Sequence, residues 1–491
     1  MPTNPATKSQ VQAYRFVLRR MESALVRKDA VMQHEPMRNH LRASAVGLIL
    51  AVLGLAAFYV VGLFSHTGTV QAGDIVNIQG TTSVFVVLKD TGSAESVRLV
   101  PVLNLTSARL LYAAMSPGSK PPQTKFVDES ALAGIRRTAI TGLPDAPQTL
   151  PDPARLIKGA WSVCDTATIR QDLPNAQSRP ELSTTAVIGT QLGRPLGRND
   201  ALLVAEQSTG AHYLIWNGHR LPVDPKDNVV SLAYHLDGVV PRPVSSNLLN
   251  AIPLGATLAA PDVPEAGSPP TFPQLRGVRI GDVVKIMLAG QSDSYFLVLS
   301  QGVEQVEPAV ANLIRAAHPT GGSDFITVDP ADIADVPKVG NQQFADFPPA
   351  PLRVPGIIDA PIACLVWPGP GKDLAVTVSA TDQARLNDAV EVPGATRDQA
   401  DKVLLEPGSG ALVQGVVPDQ PAGTGQIWLV TEQGLRYQVP SRQVASALGF
   451  DQPPTPAPDS ILGLLRAGPT LDPQQALALF DPERARHQGG P

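Results

Sequence analysis

The chain has 491 residues, 43% hydrophobic and 17% charged, with a net charge of −5. That balance excludes a generic nucleic-acid binder, and 48 prolines exclude a helix-dominated fold. Two cysteines are too few for a Cys-rich zinc site or a small disulfide scaffold.

The first predicted element is a helix in QVQAYRFVLRRMESALVRKDAVM. Val11, Tyr14, Leu18, Met21 and Leu25 recur at helical spacing and share one face. The arm is too short to supply a core of its own, so the stripe points to docking on a partner protein or on the anionic inner leaflet. Pro36 separates this helix from the next element. Residues 43–64 carry no charge over 22 residues. As a helix they span about 33 Å, which matches a hydrocarbon core. Upstream stand Lys8, Arg15, Arg19, Arg20, Arg27, Lys28, Arg38 and Arg42 against three acids, whereas residues 65–491 hold 31 Lys/Arg and 41 Asp/Glu. The positive-inside rule then places the N-terminus in the cytoplasm and the large C-terminal body outside it. The preceding stretch is too long for a signal peptide, so the span reads as an uncleaved anchor.

The exported part holds an internal echo. Strings at 84–105, 213–223, 295–310 and 427–440 each read as a β-hairpin with a glycine at its turn: Gly92, Gly218, Gly302 and Gly434. Short helices are predicted in NLTSARLLYA, NLLNAIPLG, ANLIRAA and RQVASALGF. GDIVNI at 73–78 resembles GDVVKI at 281–286 and predicts a further strand. The fold class is therefore α+β and β-rich: one N-terminal transmembrane helix and an elongated body of four hairpin/helix repeats around a central domain. The expected divisions are a cytoplasmic arm (1–42), the span (43–64), repeat 1 (70–118), repeat 2 (199–255), repeat 3 (275–318), repeat 4 (407–451), a central domain (130–198 with 320–406) and a Pro-rich tail (452–491). Cys164 and Cys364 both fall in the central domain. An even count outside the cytoplasm favours one disulfide over two separate buried thiols. In the tail, Asp472 and Pro473 read as the start of a short helix.

Catalytic chemistry is not legible. The nearest approach to a phosphate loop is WPGPGKD, where Lys372 follows Gly371 but Val366 and Asp373 stand where glycine and Ser/Thr are needed. The eight histidines are dispersed, with His212 and His219 on opposite arms of one hairpin; no metal site or cofactor is predicted.

Several strings carry a family resemblance. QVQAYRFVLRRMESALVRKD before a single span, PVLNLTSARL at 101–110, GLPDAPQTLP at 142–151, Trp161/Cys164/Asp165 with Cys364, and Leu465/Gly468/Pro469/Leu471/Asp472 occur in the order found in EccB. That family is a membrane component of the type VII (ESX) secretion systems of mycobacteria and other actinobacteria. The chain departs from it in a longer first hairpin turn, KDTGSAESVR, and in GLPDAP where glycine is commoner. The resemblance implies a cytoplasmic helix, one span in the inner membrane, and a periplasmic body with a disulfide and repeats similar to a phage-lysin cell-wall-binding subunit. It implies assembly with an EccC-like FtsK/SpoIIIE ATPase, EccD, EccE and the mycosin protease, and periplasmic dimers within a hexamer. Some relatives bear an ATPase label, which the failed phosphate loop argues against. The expected function is a structural, non-enzymatic part of the export channel. The alternatives are a peptidoglycan-binding anchor and an ATP hydrolase.

Overall fold

The computed structural model describes residues 7–28, 36–64, 70–90, 96–169, 180–287, 292–317, 324–340, 344, 346–372, 374–417 and 424–480. By internal contacts the chain divides into residues 1–70 with 127–133, and residues 71–126 with 134–491.

The first unit is built on two helices. Lys8–Arg27 opens with a capping box, in which Gln10 accepts the backbone N–H of Thr7, and closes on Lys28 in a left-handed conformation. The second helix, Pro36–Phe64, begins seven residues before the uncharged run. Its proline sits at the first position, where its missing N–H costs nothing. Within it His40–Val60 is long and apolar enough to cross a membrane, and no other described helix is.

The second unit contains all four expected hairpins, each beside a further strand, so that three antiparallel strands precede a helix. The first copy uses Ile75–Ile78, Val84–Lys89, Val97–Val102 and the helix Leu105–Met115. The third uses Val283–Ile286, Ser294–Leu299, Gly302–Val306 and Pro308–Ala317. The fourth uses Gly410–Val416, Ile427–Thr431, Leu435–Val439 and Arg442–Ala447. In the second, Leu202–Glu206, His212–Trp216 and His219–Pro222 are followed by Asn228–Tyr234. The expected helix NLLNAIPLG does form, as Ser246–Ala251, but it is the second helix of its copy. Side-chain caps start these helices: Asn104, Asp227, Ser245 and Ser441 each accept a backbone N–H two or three residues on.

Each copy runs on past this point. Arg242–Val244, Ile326–Thr327 and Thr455–Pro458 add parallel to the first strands of copies two, three and four. Arg136–Arg137 and Arg466–Ala467 add parallel to the third strands of copies one and four, where Leu254 and Lys338 make single bridges in the other two. Sheets expected over 275–318 and 407–451 thus draw strands from 320–406 and from the tail. The tail's helix at Asp472 is a single 3-10 turn, Gln475–Leu477, because the chain then folds back to donate the Phe480 N–H to the carbonyl of Ile140. Gly302 is the first residue of a strand, not a turn residue. Gly92 lies outside the described residues.

The copies pair first with fourth and second with third. Helix Leu105–Met115 packs on Arg442–Ala447, and Asn228–Tyr234 packs on Pro308–Ala317. Leu110, Leu412, Leu429 and Phe450 share one core, and Leu203, Leu214, Val283 and Leu313 another. Between them stands a seven-stranded sheet ordered Val390–Glu391, Lys402–Leu404, Glu181–Ile188, Trp161–Thr168, Ile362–Trp367, Ala375–Ser379, Arg194–Pro195. Strand alternation gives it two faces. Val163 and Leu365 join a core with Leu202 and Val204 of the second copy and Val413 and Val430 of the fourth. Cys164, Ile362, Cys364 and Val366 cluster together with Val187, Leu192 and Leu386.

Hairpin tips of the second and fourth copies abut this sheet. Asn217 and Gly218 both have positive φ, as a two-residue turn matched to strand twist requires. A Cβ on Gly218 would lie 2.7 Å from the carbonyl oxygen of Leu374, and one on Gly434 2.6 Å from Val403 Cγ2.

Candidate functional site

Two kinds of surface stand out among the described residues: those that join one element to another, and an apolar face left open to a partner. On Lys8–Arg27 the predicted stripe is solvent-exposed: Val11 40%, Tyr14 67%, Leu18 48%, Met21 60% and Leu25 81%. Val17, also exposed, lies beside it and widens the apolar face. A helix with this face open to water loses the burial that would stabilise it, on the order of 1.5–3 kcal/mol per large side chain. Arg15, Arg19, Arg20, Lys28 and Arg42 are exposed; the side chains of Arg27 and Arg38 lie outside the described set.

Cys164 and Cys364 form a disulfide across 200 residues of sequence. The two are direct partners in the antiparallel register of Trp161–Thr168 and Ile362–Trp367. Asp165, next in the strand, points to the opposite face and reaches the second copy. Its carboxylate accepts from the Ser245 backbone N–H (2.7 Å), the Ser245 hydroxyl (2.8 Å) and the Thr184 hydroxyl (2.9 Å). Ser245 in turn caps the helix Ser246–Ala251. Burial pushes the Asp165 carboxyl above the usual range, against these hydrogen bonds and the charge of Arg242. Burial likewise lowers Arg242 to about 10, opposed by Asp165. Arg242 donates to the carbonyl of Ala360. Asp165 is therefore a joint between central sheet and repeat, not a reacting group.

Two of the motif strings meet each other. Asn104 and Thr106 of PVLNLTSARL donate to the carbonyls of Leu143 and Pro147 (3.3 and 2.5 Å), and the Leu143 N–H donates to the Ser107 hydroxyl (3.0 Å). GLPDAP is thus the seat of the first copy's helix. The LxxGPxLD string lies against the fourth copy: Gly468 and Leu471 donate their N–H groups to the carbonyls of Arg436 and Gln438 (both 2.8 Å).

A signal that sequence comparison within the chain half-captured is the start of each copy. Asp74 and Asp282 accept the N–H three residues back, from Gln71 (2.9 Å) and Arg279 (2.7 Å). Asp200 does the same for Gly197 (3.0 Å), and Ser409 binds the carbonyl of Glu406. Only the first two combine glycine with aspartate: Asn199 precedes Asp200, and Ser409 follows Gly408 but replaces the aspartate, so only the first two were visible as a repeated string.

WPGPGKD is the turn between Ile362–Trp367 and Ala375–Ser379, so no helix N-terminus follows Lys372 to receive a phosphate. Asp373 lies outside the described residues. His212 sits beside Val223 and His219 opposite Trp216, about 13 Å apart along the hairpin, so they do not meet. His34, His66, His318 and His487 lie outside the described residues, and no group of three metal-ligating side chains occurs among those described.

The sequence family described as "Type VII secretion system ESX-1, transport TM domain B" matches residues 3–482. The chain belongs to the EccB family. It is 30% identical to the ESX-3 secretion system ATPase EccB3 of Mycolicibacterium smegmatis over 97% of this chain and 91% of that one. It is 29% identical to the ESX-5 secretion system ATPase EccB5 of Mycobacterium tuberculosis, over 97% and 94%. Among solved structures, an intact ESX-5 inner membrane complex contains a chain at TM-score 0.70 and 28% identity, covering 98% of this chain and 97% of that one. A chain of the EccB3 dimer from the ESX-3 core complex matches at TM-score 0.69 and 28% identity, covering 82% and 100%. EccB-family chains are therefore components of ESX inner membrane complexes, and the α+β, sheet-rich fold is shared with these solved chains.

Proposed function

We propose that the chain is a structural, non-enzymatic subunit of a type VII secretion membrane complex. It is anchored with its N-terminus in the cytoplasm and its four-repeat body in the periplasm. The basic arm before the apolar helix supports that orientation. The body forms dimers, as EccB3 does in the ESX-3 core complex, and these dimers gather within a hexameric assembly. The Val11/Tyr14/Leu18/Met21/Leu25 face docks on an EccC-like FtsK/SpoIIIE ATPase, with EccD, EccE and the mycosin protease as further partners.

The observation that carries this reading is the apolar face left exposed on a capped, regular helix. Leu18→Glu with Met21→Glu, introduced together, is expected to reduce recovery of the FtsK-like ATPase in detergent-extracted complex severalfold. The melting temperature of the body is expected not to change. Undiminished recovery and secretion would remove the docking claim. Relatives carry "ATPase" in their names. The hairpin turn at Lys372 argues that this chain does not hydrolyse ATP at that site. Lys372→Ala is expected to leave secretion unchanged; loss of a measurable ATP turnover in that variant would reverse the assignment.

A further inference from the structure

The end of the first copy's sheet at which the chain enters is basic. Gly73 donates to the carbonyl of Val87, so the entering chain lies beside the end of Val84–Lys89. At that end Lys89 is exposed, and Leu88 pairs with Arg98, which pairs in parallel register with Arg136. Register partners share a face, so two arginines stand side by side. Like charges so placed repel each other and cost the sheet stability. Among the described residues no carboxylate pairs with either, and the Arg98 Nε is buried without a hydrogen-bond partner. Arg137 lies over the Phe85 ring on the other face, 5.4 Å from its centroid. Lys125 is at the same end, 2.7 Å from Asp74. Among the described residues of these strands, Asp74, taken by Lys125, and Asp90 are the acids at that end.

Residues 65–491 hold ten more acids than bases, yet residues 70–142 hold seven Lys/Arg and five Asp/Glu. This basic end is also the part of the body tied most closely to the apolar helix. Nine peptide steps separate Phe64 from Gly73, a reach of at most about 30 Å.

We propose that the Lys89/Arg98/Arg136 end of the first sheet binds the headgroup phosphates of anionic phospholipids in the leaflet from which the chain emerges. The guanidinium pair supplies the fork geometry that phosphate oxygens accept. The juxtamembrane position is where such basic clusters act on lipid. The acidic remainder of the body is repelled by the same surface, so binding fixes which end faces the bilayer. This rests on the apolar helix being a membrane span.

The test uses the full chain in nanodiscs of phosphatidylcholine alone or mixed equally with phosphatidylglycerol. Acetylation rates of Lys89 are read by mass spectrometry, with exposed Lys158 and Lys226 elsewhere on the body as internal references. Lys89 is expected to react severalfold more slowly in the anionic discs, while Lys158 and Lys226 are unchanged. Added salt is expected to restore the neutral-disc rate in the unmodified protein. Arg98→Gln with Arg136→Gln is expected to do the same without lowering the melting temperature. Equal Lys89 rates in the two discs, or protection that salt does not relieve, would overturn the proposal. A chain that does not stay in either disc would overturn the span reading and this inference with it.

Discussion

Replacing Arg242 by leucine is expected to destabilise the body by about 3 kcal/mol at neutral pH, the lower end of the cost of stranding a buried charge. Arg242 is 5% exposed and Asp165 2%. The guanidinium offsets the buried carboxylate through space, and it also satisfies the buried carbonyl of Ala360. Leucine does neither. The cost depends on pH, and its sign is fixed by Asp165. A carboxyl held above its unfolded value favours folding fully below about pH 3.9, and that contribution is lost as pH rises through the folded value. Without Arg242 the folded value climbs further, so the loss deepens between acid and neutral pH. Arg242 itself, near 10, stays charged throughout that window and adds no slope. Thermal unfolding of the detergent-solubilised full chain at acid and neutral pH reads this directly. The double change Arg242→Leu with Asp165→Asn is expected to cost less than the sum of the two single changes. A defect that is equal at both pH values, or strictly additive, would mean that the two charges do not interact.

What the sequence made legible were features that repeat a local chemistry. The aromatic-aliphatic hairpins form because strands such as VFVVL are buried on both sides, and that run of apolar residues is visible without a structure. The helices after them were visible as short Ala/Leu/Asn-rich stretches that recur behind each hairpin. Nothing local marks the later strands. Arg136–Arg137 and Ile326–Thr327 are two residues each and are held only by pairing with strands tens of residues away. Helix Asn228–Tyr234 was passed over because the neighbouring NLLNAIPLG matched the expected string better, although it fills a different place in its copy. The pairing of first with fourth copy, and second with third, depends on which helices pack, and no residue spacing encodes it. The even cysteine count, with both residues on the exported side, announced the disulfide. The role of Asp165 did not show, because its partners Thr184 and Ser245 are 19 and 80 residues away and belong to no motif.

Removing the disulfide is expected to have the largest effect of any small change to this chain. The bridge closes 200 residues. On chain entropy alone, a loop of that length destabilises the unfolded state by on the order of 5 kcal/mol. Cys164→Ala with Cys364→Ala is therefore expected to lower the melting temperature by roughly 10 °C, taking about 2 °C per kcal/mol for a body of this size. The native sheet should survive. Trp161–Thr168 and Ile362–Trp367 remain paired over six register positions, and both sulfurs sit in an apolar cluster that alanine can still fill in part. Burial also sets the kinetics. With Cys164 0% and Cys364 1% exposed, a thiol reductant has no access to the bridge in the folded protein. Reduction should then proceed only as fast as the body opens, rising steeply with denaturant and reaching a limit independent of reductant concentration. The bond also fixes the strands from which the chain leaves toward the second copy and returns from the third, since one cysteine lies before that excursion and one after it. Without it, folding must find this register through the strands alone. A double-alanine variant that melts with the unmodified protein, or a bridge reduced quickly under native conditions, would show that the register is held by the sheet and that the bond adds nothing to it.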